Sequence, residues 1–235
     1  ASVSWSQKIA SVRDAMTQRQ CGYHFVSSVD DVAWILNLRG SDVSYNPVFI
    51  AHLLFTPLDC TLFVAQGKID AALAERLAGD GVHLAAYADA AKALASIPHG
   101  QRVLVDPRRV TYGLRQHIAA QVQLVEAMNP STMQKSRKTD ADAQFVREAM
   151  REDGAAMCEF YAWFEKAMAT QTLTELDVAE HLSAARAKRS GFKDLSFPVI
   201  AGFNANGALP HYRATEKSFA SISSNGLLLI DSGVM

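Results

Sequence analysis

A histidine delivered by a loop and an aspartate at the end of a strand are the residues whose types best suit chemistry in this chain. His211 closes a Gly- and Asn-rich stretch, Gly202-Phe-Asn-Ala-Asn-Gly-Ala-Leu-Pro-His211, which follows a β-like run over residues 196–202. Asp231 closes a second β-like run over residues 226–231. Imidazole and carboxylate on loops beside buried strands suit a hydrolytic or metal site, because strands hold the geometry and loops admit substrate. Each residue alone has a plainer reading, the histidine as a satisfied loop residue and the aspartate as a turn former. Other patterns fall short. Gly202 and Gly207 have the spacing of a phosphate loop, but Ala208 stands where its lysine should be. There is no Gly-x-Ser-x-Gly elbow and no His-Glu-x-x-His helix. Cys21, Cys60 and Cys158 are scattered without metal-ligand spacing and read as small core residues of a reducing compartment.

A second segment, Val29-Asp-Asp-Val-Ala-Trp-Ile-Leu-Asn-Leu-Arg-Gly-Ser-Asp-Val-Ser-Tyr-Asn-Pro-Val-Phe49, reads by itself as a helix running into a turn. Gly40 supplies backbone freedom there, Asp42 and Asn46 bond back to the main chain, and Pro47 stiffens the exit.

The elements that must position these residues come in two textures. Over residues 1–127 strands and helices alternate. Helices are expected over 7–20, 32–36 (capped by Asp30 or Asp31), 71–78 and 89–96, with another opened by Pro107 and running to about 119. Strands are expected over 23–28, 61–65, 82–85, 102–106 and 122–125, which together argue for an α/β layer fold. Residues 129–139, with Asn-Pro and three cations, read as a surface linker. Beyond it a long helix over 140–169 places Val146, Met150, Met157, Tyr161, Phe164 and Met168 on one face. Thr174-Glu-Leu-Asp177 then forms a capping box for a helix to about 189, and the chain turns β-like, as an α+β domain would.

Composition bounds what this architecture serves. The chain has 235 residues, 49% hydrophobic and 20% charged, with a net charge of −1. So much apolar material with so little charge excludes a disordered chain and a nucleic-acid coat. No apolar run approaches the roughly 20 residues that span a bilayer, and no membrane or nucleic-acid partner is expected.

Taken together the two segments are similar to a known family. Ala33-Trp-Ile-Leu-Asn-Leu-Arg-Gly-Ser-Asp42 followed by Asn46-Pro-Val-Phe49 resembles the signature of the middle domain of three-domain Xaa-Pro aminopeptidases, also called aminopeptidase P. Ser4-Trp5 with Lys8 resembles the entry into that domain. Asp194-Leu-Ser-Phe-Pro198, Asn206-Gly-Ala, His211-Tyr212 and Leu229-Ile-Asp-Ser-Gly233 resemble the start of the family's pita-bread catalytic domain.

The resemblance implies a middle domain over residues 1–132 and the first part of a catalytic domain over 133–235. It implies a metallopeptidase that releases the N-terminal residue from peptides with proline second and works as a homodimer; the lack of a charged-then-apolar signal pattern at the N-terminus adds the expectation of a cytoplasmic setting. Two divalent ions, commonly manganese, would be held by two aspartates, a histidine and two glutamates, with a bridging hydroxide as nucleophile. By position, Asp231 is the first metal ligand, His211 is the substrate-side catalytic histidine, and Phe203 helps wall the pocket. The family's later ligands lie past Asp231, and the chain has only four more residues. By itself it is therefore expected to bind no metal pair and to hydrolyse nothing, its second half being poorly protected. Two other readings stand beside this one: a non-catalytic or vestigial peptide-binding relative, and a creatinase-like amidinohydrolase.

Overall fold

The structure is a computed structural model that describes residues 2–235. It divides into two compact units, residues 1–139 and 140–235.

In the first unit, chain order runs α1 (Trp5–Gln18), β1 (Tyr23–Val26), α2 (Val29–Leu36), β2 (Ala51–Phe55), β3 (Cys60–Val64), α3 (Ala71–Gly79), β4 (Val82–Ala86), α4 (Ala90–Ala95), β5 (Arg102–Val105), α5 (Tyr112–Arg115), β6 (Gln123–Glu126) and α6 (Pro130–Ser136). The six strands form one sheet in the order β4-β3-β2-β1-β5-β6. β2 runs antiparallel to both β1 and β3, and the remaining pairs are parallel. Side chains alternate across a strand, so the central strands feed two cores. Val26, Leu53, Phe55, Leu62 and Leu104 join Val12, Ile35, Leu36 and Leu77 from the α1–α3 layer. Phe25, Leu54, Phe63, Val103 and Val105 join Leu94 and Ile97 of the α4 region and Ile118 beyond α5. Removing one fully buried leucine such as Leu62 from such a core costs about 2–5 kcal/mol.

Local chemistry sets the element ends. Ser4 and Gln7 form a capping box on α1. One turn later Lys8 folds back under Trp34, its ammonium 4.1 Å from the ring centroid and donating to the Trp34 carbonyl at 2.8 Å and Asn37 Oδ1 at 2.6 Å. The Ser4-Trp5…Lys8 pattern thus reaches the Ala33–Asp42 segment through space. Gly40 is required where that segment turns, since a Cβ there would lie 2.6 Å from Phe49 Cβ.

Several expectations are corrected. β2 was not anticipated at all. Ser28, not Asp30 or Asp31, occupies the N-cap of α2, and Asp31 is instead buried, accepting from Asn129 Nδ2 at 3.1 Å and Thr132 Oγ1 at 3.0 Å. Pro107 opens a turn rather than a helix: Asp106 takes the Arg108 and Asn129 amides on its carboxylate, and α5 is one turn capped by Thr111. The stretch read as a linker holds α6, whose Pro130 and Ser131 are buried. A boundary at residue 132 would cut that helix, and the compact units divide at 139/140.

The second unit contains α7 (Asp140–Met168), β7 (Leu173–Thr174), α8 (Glu175–Ala187), β8 (Ile200–Phe203), β9 (Ser221–Ile222) and β10 (Leu228–Asp231). β8 pairs antiparallel with β10, and β7 with β9. Its core gathers Phe160, Leu173, Val178, Leu182, Val199, Ala201 and Ile222. The face expected on α7 is split: Met157, Phe164 and Met168 pack against this core, whereas Val146, Met150 and Tyr161 are exposed. Ala156 and Phe160, outside the expected set, are its fully buried members. α7 and α8 are tied by Arg186, which reaches Asp153 with two bonds of 2.7 and 3.1 Å. Cys158 is exposed, unlike the buried Cys21 and Cys60, so the all-core reading of the cysteines is corrected there. No helix among the described residues is long and apolar enough to cross a membrane.

Candidate functional site

β8 and β10 form the ribbon that carries the sequence-derived candidates. Its register sets Leu228 opposite Phe203, Leu229 opposite Gly202, Ile230 opposite Ala201 and Asp231 opposite Ile200. Alternation puts Phe203, Ala201, Leu228 and Ile230 on the core side and Asp231, Leu229 and Gly202 on the other. The pairing continues past the strands: the Ser196 amide donates to the Gly233 carbonyl at 2.9 Å, and Leu195 bridges Val234. Asp-Ser-Gly is therefore held as an extended edge with the Asp231 side chain exposed.

Phe203 turns inward. Its ring lies where Gly226 passes, and a Cβ on Gly226 would sit 2.3 Å from its Cζ. Asp231 and Phe203 are thus on opposite faces of the ribbon, and the structure does not bring them together. The phenylalanine braces the β8–β10 ribbon from the core side. The glycine pair that resembles a phosphate loop also has a structural cause. A Cβ on Gly202 would stand 2.8 Å from Gly207 Cα, so the two glycines let the backbone after β8 fold directly onto β8.

After β8 the chain makes a 3₁₀ turn over Asn204–Ala208 and reaches His211, which is exposed and has φ 57°. The left-handed region is uncommon for a side-chain-bearing residue and costs about 1 kcal/mol or more. Something must hold the turn, and the structure shows what does. Glu175, the first residue of α8, is fully buried beneath it. Its Oε1 accepts the Phe203 amide at 2.6 Å and Asn206 Nδ2 at 3.0 Å. Oε2 accepts the Tyr212 hydroxyl at 2.7 Å and the Ala220 amide at 2.8 Å. Burial pushes the Glu175 carboxyl up, but the bonds from Phe203, Tyr212, Ala220 and Asn206 outweigh it and hold it below the usual carboxylate range. Burial and the adjoining carboxylate push the Tyr212 phenol up to about 12. A carboxylate in this condition is charged, saturated with donors and part of the frame.

Sequence reasoning missed Glu175, reading it only as a letter inside the Thr174–Asp177 capping box. That box is present, with Thr174 Oγ1 taking the Asp177 amide at 3.2 Å and the Asp177 carboxylate taking the Thr174 amide at 2.8 Å. The only available signal was a loop rich in donors, Asn206 and Tyr212, with no acid of its own.

Metal chemistry can be tested against the donor set. No cluster of three or more His, Cys, Asp or Glu among the described residues is placed to hold a metal ion. Asp231 is a single exposed carboxylate, and hard cations take several oxygen ligands. The described residues do not fit a two-metal centre by themselves. They offer one ligand toward it.

Comparison with known proteins adds the remaining findings. Residues 1–142 match the family described as creatinase/prolidase N-terminal domain, and residues 144–235 match metallopeptidase family M24. Xaa-Pro aminopeptidase 1 of Dictyostelium discoideum is 32% identical over 233 residues, covering 97% of this chain and 36% of that protein. A probable Xaa-Pro aminopeptidase P of Aspergillus flavus is 33% identical over 244 residues, covering 99% of this chain and 37% of its own length. Among solved structures, the X-prolyl aminopeptidase of Caenorhabditis elegans, described as a cytosolic enzyme with a di-nuclear active site, superimposes with a TM-score of 0.90 at 25% identity. It covers 99% of this chain and 39% of that one. The chain therefore spans less than half the length of these relatives.

Proposed function

The chain belongs to the creatinase/prolidase N-terminal domain family and continues into an M24 metallopeptidase segment, and from that premise we propose that it is part of a metal-dependent aminopeptidase that releases the N-terminal residue from peptides with proline second. The observation that carries the reading is the β8–β10 ribbon. It presents an exposed Asp231 on a paired extended edge, and its β8 end runs into a braced loop that delivers His211. That arrangement sits in a chain whose curated relatives are Xaa-Pro aminopeptidases.

In this reading Asp231 contributes one ligand to a pair of divalent ions, with manganese the first metal to test. When bound, such a pair lowers the pKa of a shared water and neutralises the oxyanion. His211 meets the substrate beside the scissile bond. A proline imide has no N–H, so recognition reads the ring and the free amino terminus. Phe203 acts from beneath, fixing the β8 end. The first unit is a scaffold, the working protein is a homodimer, and its setting is the cytoplasm.

The donor set favours one further reading for the 235 residues alone, a peptide-binding chain without turnover. Metal analysis and a Gly-Pro-x peptide separate the two. The reading advanced here expects no stoichiometric metal pair and no glycine release from the 235-residue chain, but manganese-dependent release from the protein with the full length of its relatives. Gly-Pro-x peptide bound by the 235-residue chain without turnover or metal dependence would favour the alternative.

A further inference from the structure

The Glu175 hub has a consequence for the loop above it. Its donors come from four places in the chain: the end of β8, the 3₁₀ turn, the residue directly after His211, and the residue directly before β9. The carboxylate has about four lone-pair sites, and all are engaged. Asn206 Nδ2 also donates to Tyr212 Oη at 3.0 Å, so the two loop donors are cross-linked. The Tyr212 amide donates to the Leu209 carbonyl at 3.2 Å, closing the turn in which His211 holds its positive φ. His211 therefore stands between a closed turn on one side and a hydroxyl tied to a buried charge on the other.

We propose that Glu175 is the positioning residue of the His211 loop, acting through Tyr212 and Asn206 to fix the turn in which His211 sits. The proposal rests on the reading of His211 as a substrate-side residue. It adds that the geometry of that residue is set by a carboxylate on the far helix that never touches substrate. The chemistry of the hub makes the claim specific. Every partner of Glu175 is a donor, so glutamine, which brings an NH2 group to face the Phe203 or Ala220 amide, cannot replace it. Phenylalanine at 212 keeps the ring and removes only the tether.

The test uses the 235-residue chain, with imidazole and backbone NMR as readouts. Tyr212→Phe is expected to shift and broaden the His211 imidazole signals and to lower the exchange protection of the Tyr212 amide about tenfold, the loss of one charge-accepting hydrogen bond. The Phe203 and Ala220 amides should stay protected in this variant. Glu175→Gln is expected to move all three sites, and Glu175→Asp to restore part of the His211 signature. Unchanged His211 imidazole signals in Tyr212→Phe would overturn the proposal, leaving Glu175 as a structural acceptor for the Phe203 and Ala220 amides only. Titrating a Gly-Pro-x peptide into the protein with the full length of its relatives keeps the two claims apart. If the peptide leaves His211 unmoved while Tyr212→Phe moves it, the positioning claim stands and the substrate-side reading fails.

Discussion

In the first unit the fully buried His24 donates from Nδ1 to the Leu104 carbonyl at 2.9 Å, while its Nε2 has no hydrogen-bond partner among the described residues. Burial holds it neutral, pushing its pKa down to about 4. Glu175 of the second unit is equally buried, yet converging amide, hydroxyl and side-chain donors keep it charged. Strands β1 and β3 of the first unit discharge what they bury, and the Cys60 thiol, pushed up by burial to about 12, follows His24 in this. A sheet covered on both faces has few free donors to offer, whereas a loop that doubles back over a helix start has many.

Substitutions should break this contrast in a definite order. Glu175→Gln is expected to cost about 4 kcal/mol, because several bonds to a charged acceptor are lost at once and amide hydrogens are left facing one another. Hydrogen exchange would show the loss in β8 and α8 while β1 and β5 keep their protection.

Acid separates the units next. His24 in the unfolded chain takes a proton near 6.5 and in the folded chain near 4. The unfolded state thus binds more protons between those values, and stability is fully present above pH 6.5 and falls as pH drops toward 4. The loss over that window is about 3 kcal/mol. His24→Leu should flatten it in a urea-denaturation series. Glu175 has a depressed folded value, so its contribution is fully present above the ordinary glutamate value of 4.5, near the acid end of that window, and is lost as pH falls from there through the folded value. Protection in β1 falling across that window, with protection in β8 changing only as the carboxylate range is reached, is the expected result.

Smaller effects sharpen the picture. Asp153→Ala leaves the buried Arg186 guanidinium without its carboxylate and should cost about 2–3 kcal/mol, read from the urea midpoint. His211→Gly relieves a left-handed backbone and should raise stability by about 1 kcal/mol. A fall in melting temperature for that glycine variant would mean the imidazole has a structural role that no hydrogen bond explains.

Legibility followed locality. The Thr174–Asp177 box and the Ser196–Gly233 edge lie in segments whose own letters announce caps and strands. β2 escaped notice because Ala51–Phe55 is a short apolar run without alternation, as a strand buried on both faces must be. Pro107 misled, since a proline that can start a helix also suits a turn, and the neighbouring Asp106 decided between them. Asp31 was read as a cap because its partners, Asn129 and Thr132, are about a hundred residues away in the chain. Glu175 was unreadable for the same reason, its donors arriving 28 to 45 residues later. His211 and Asp231 acquired roles only through family resemblance, because spacing alone does not tell a loop histidine from a working one.

The most direct test of the account is peptide cleavage by the protein with the full length of its relatives, comparing Gly-Pro-x with Gly-Ala-x in the presence of manganese and repeating it with Asp231→Asn. The account predicts release of glycine from the proline peptide alone and its loss in the variant. Equal cleavage of both peptides, or undiminished turnover after Asp231→Asn, would contradict it.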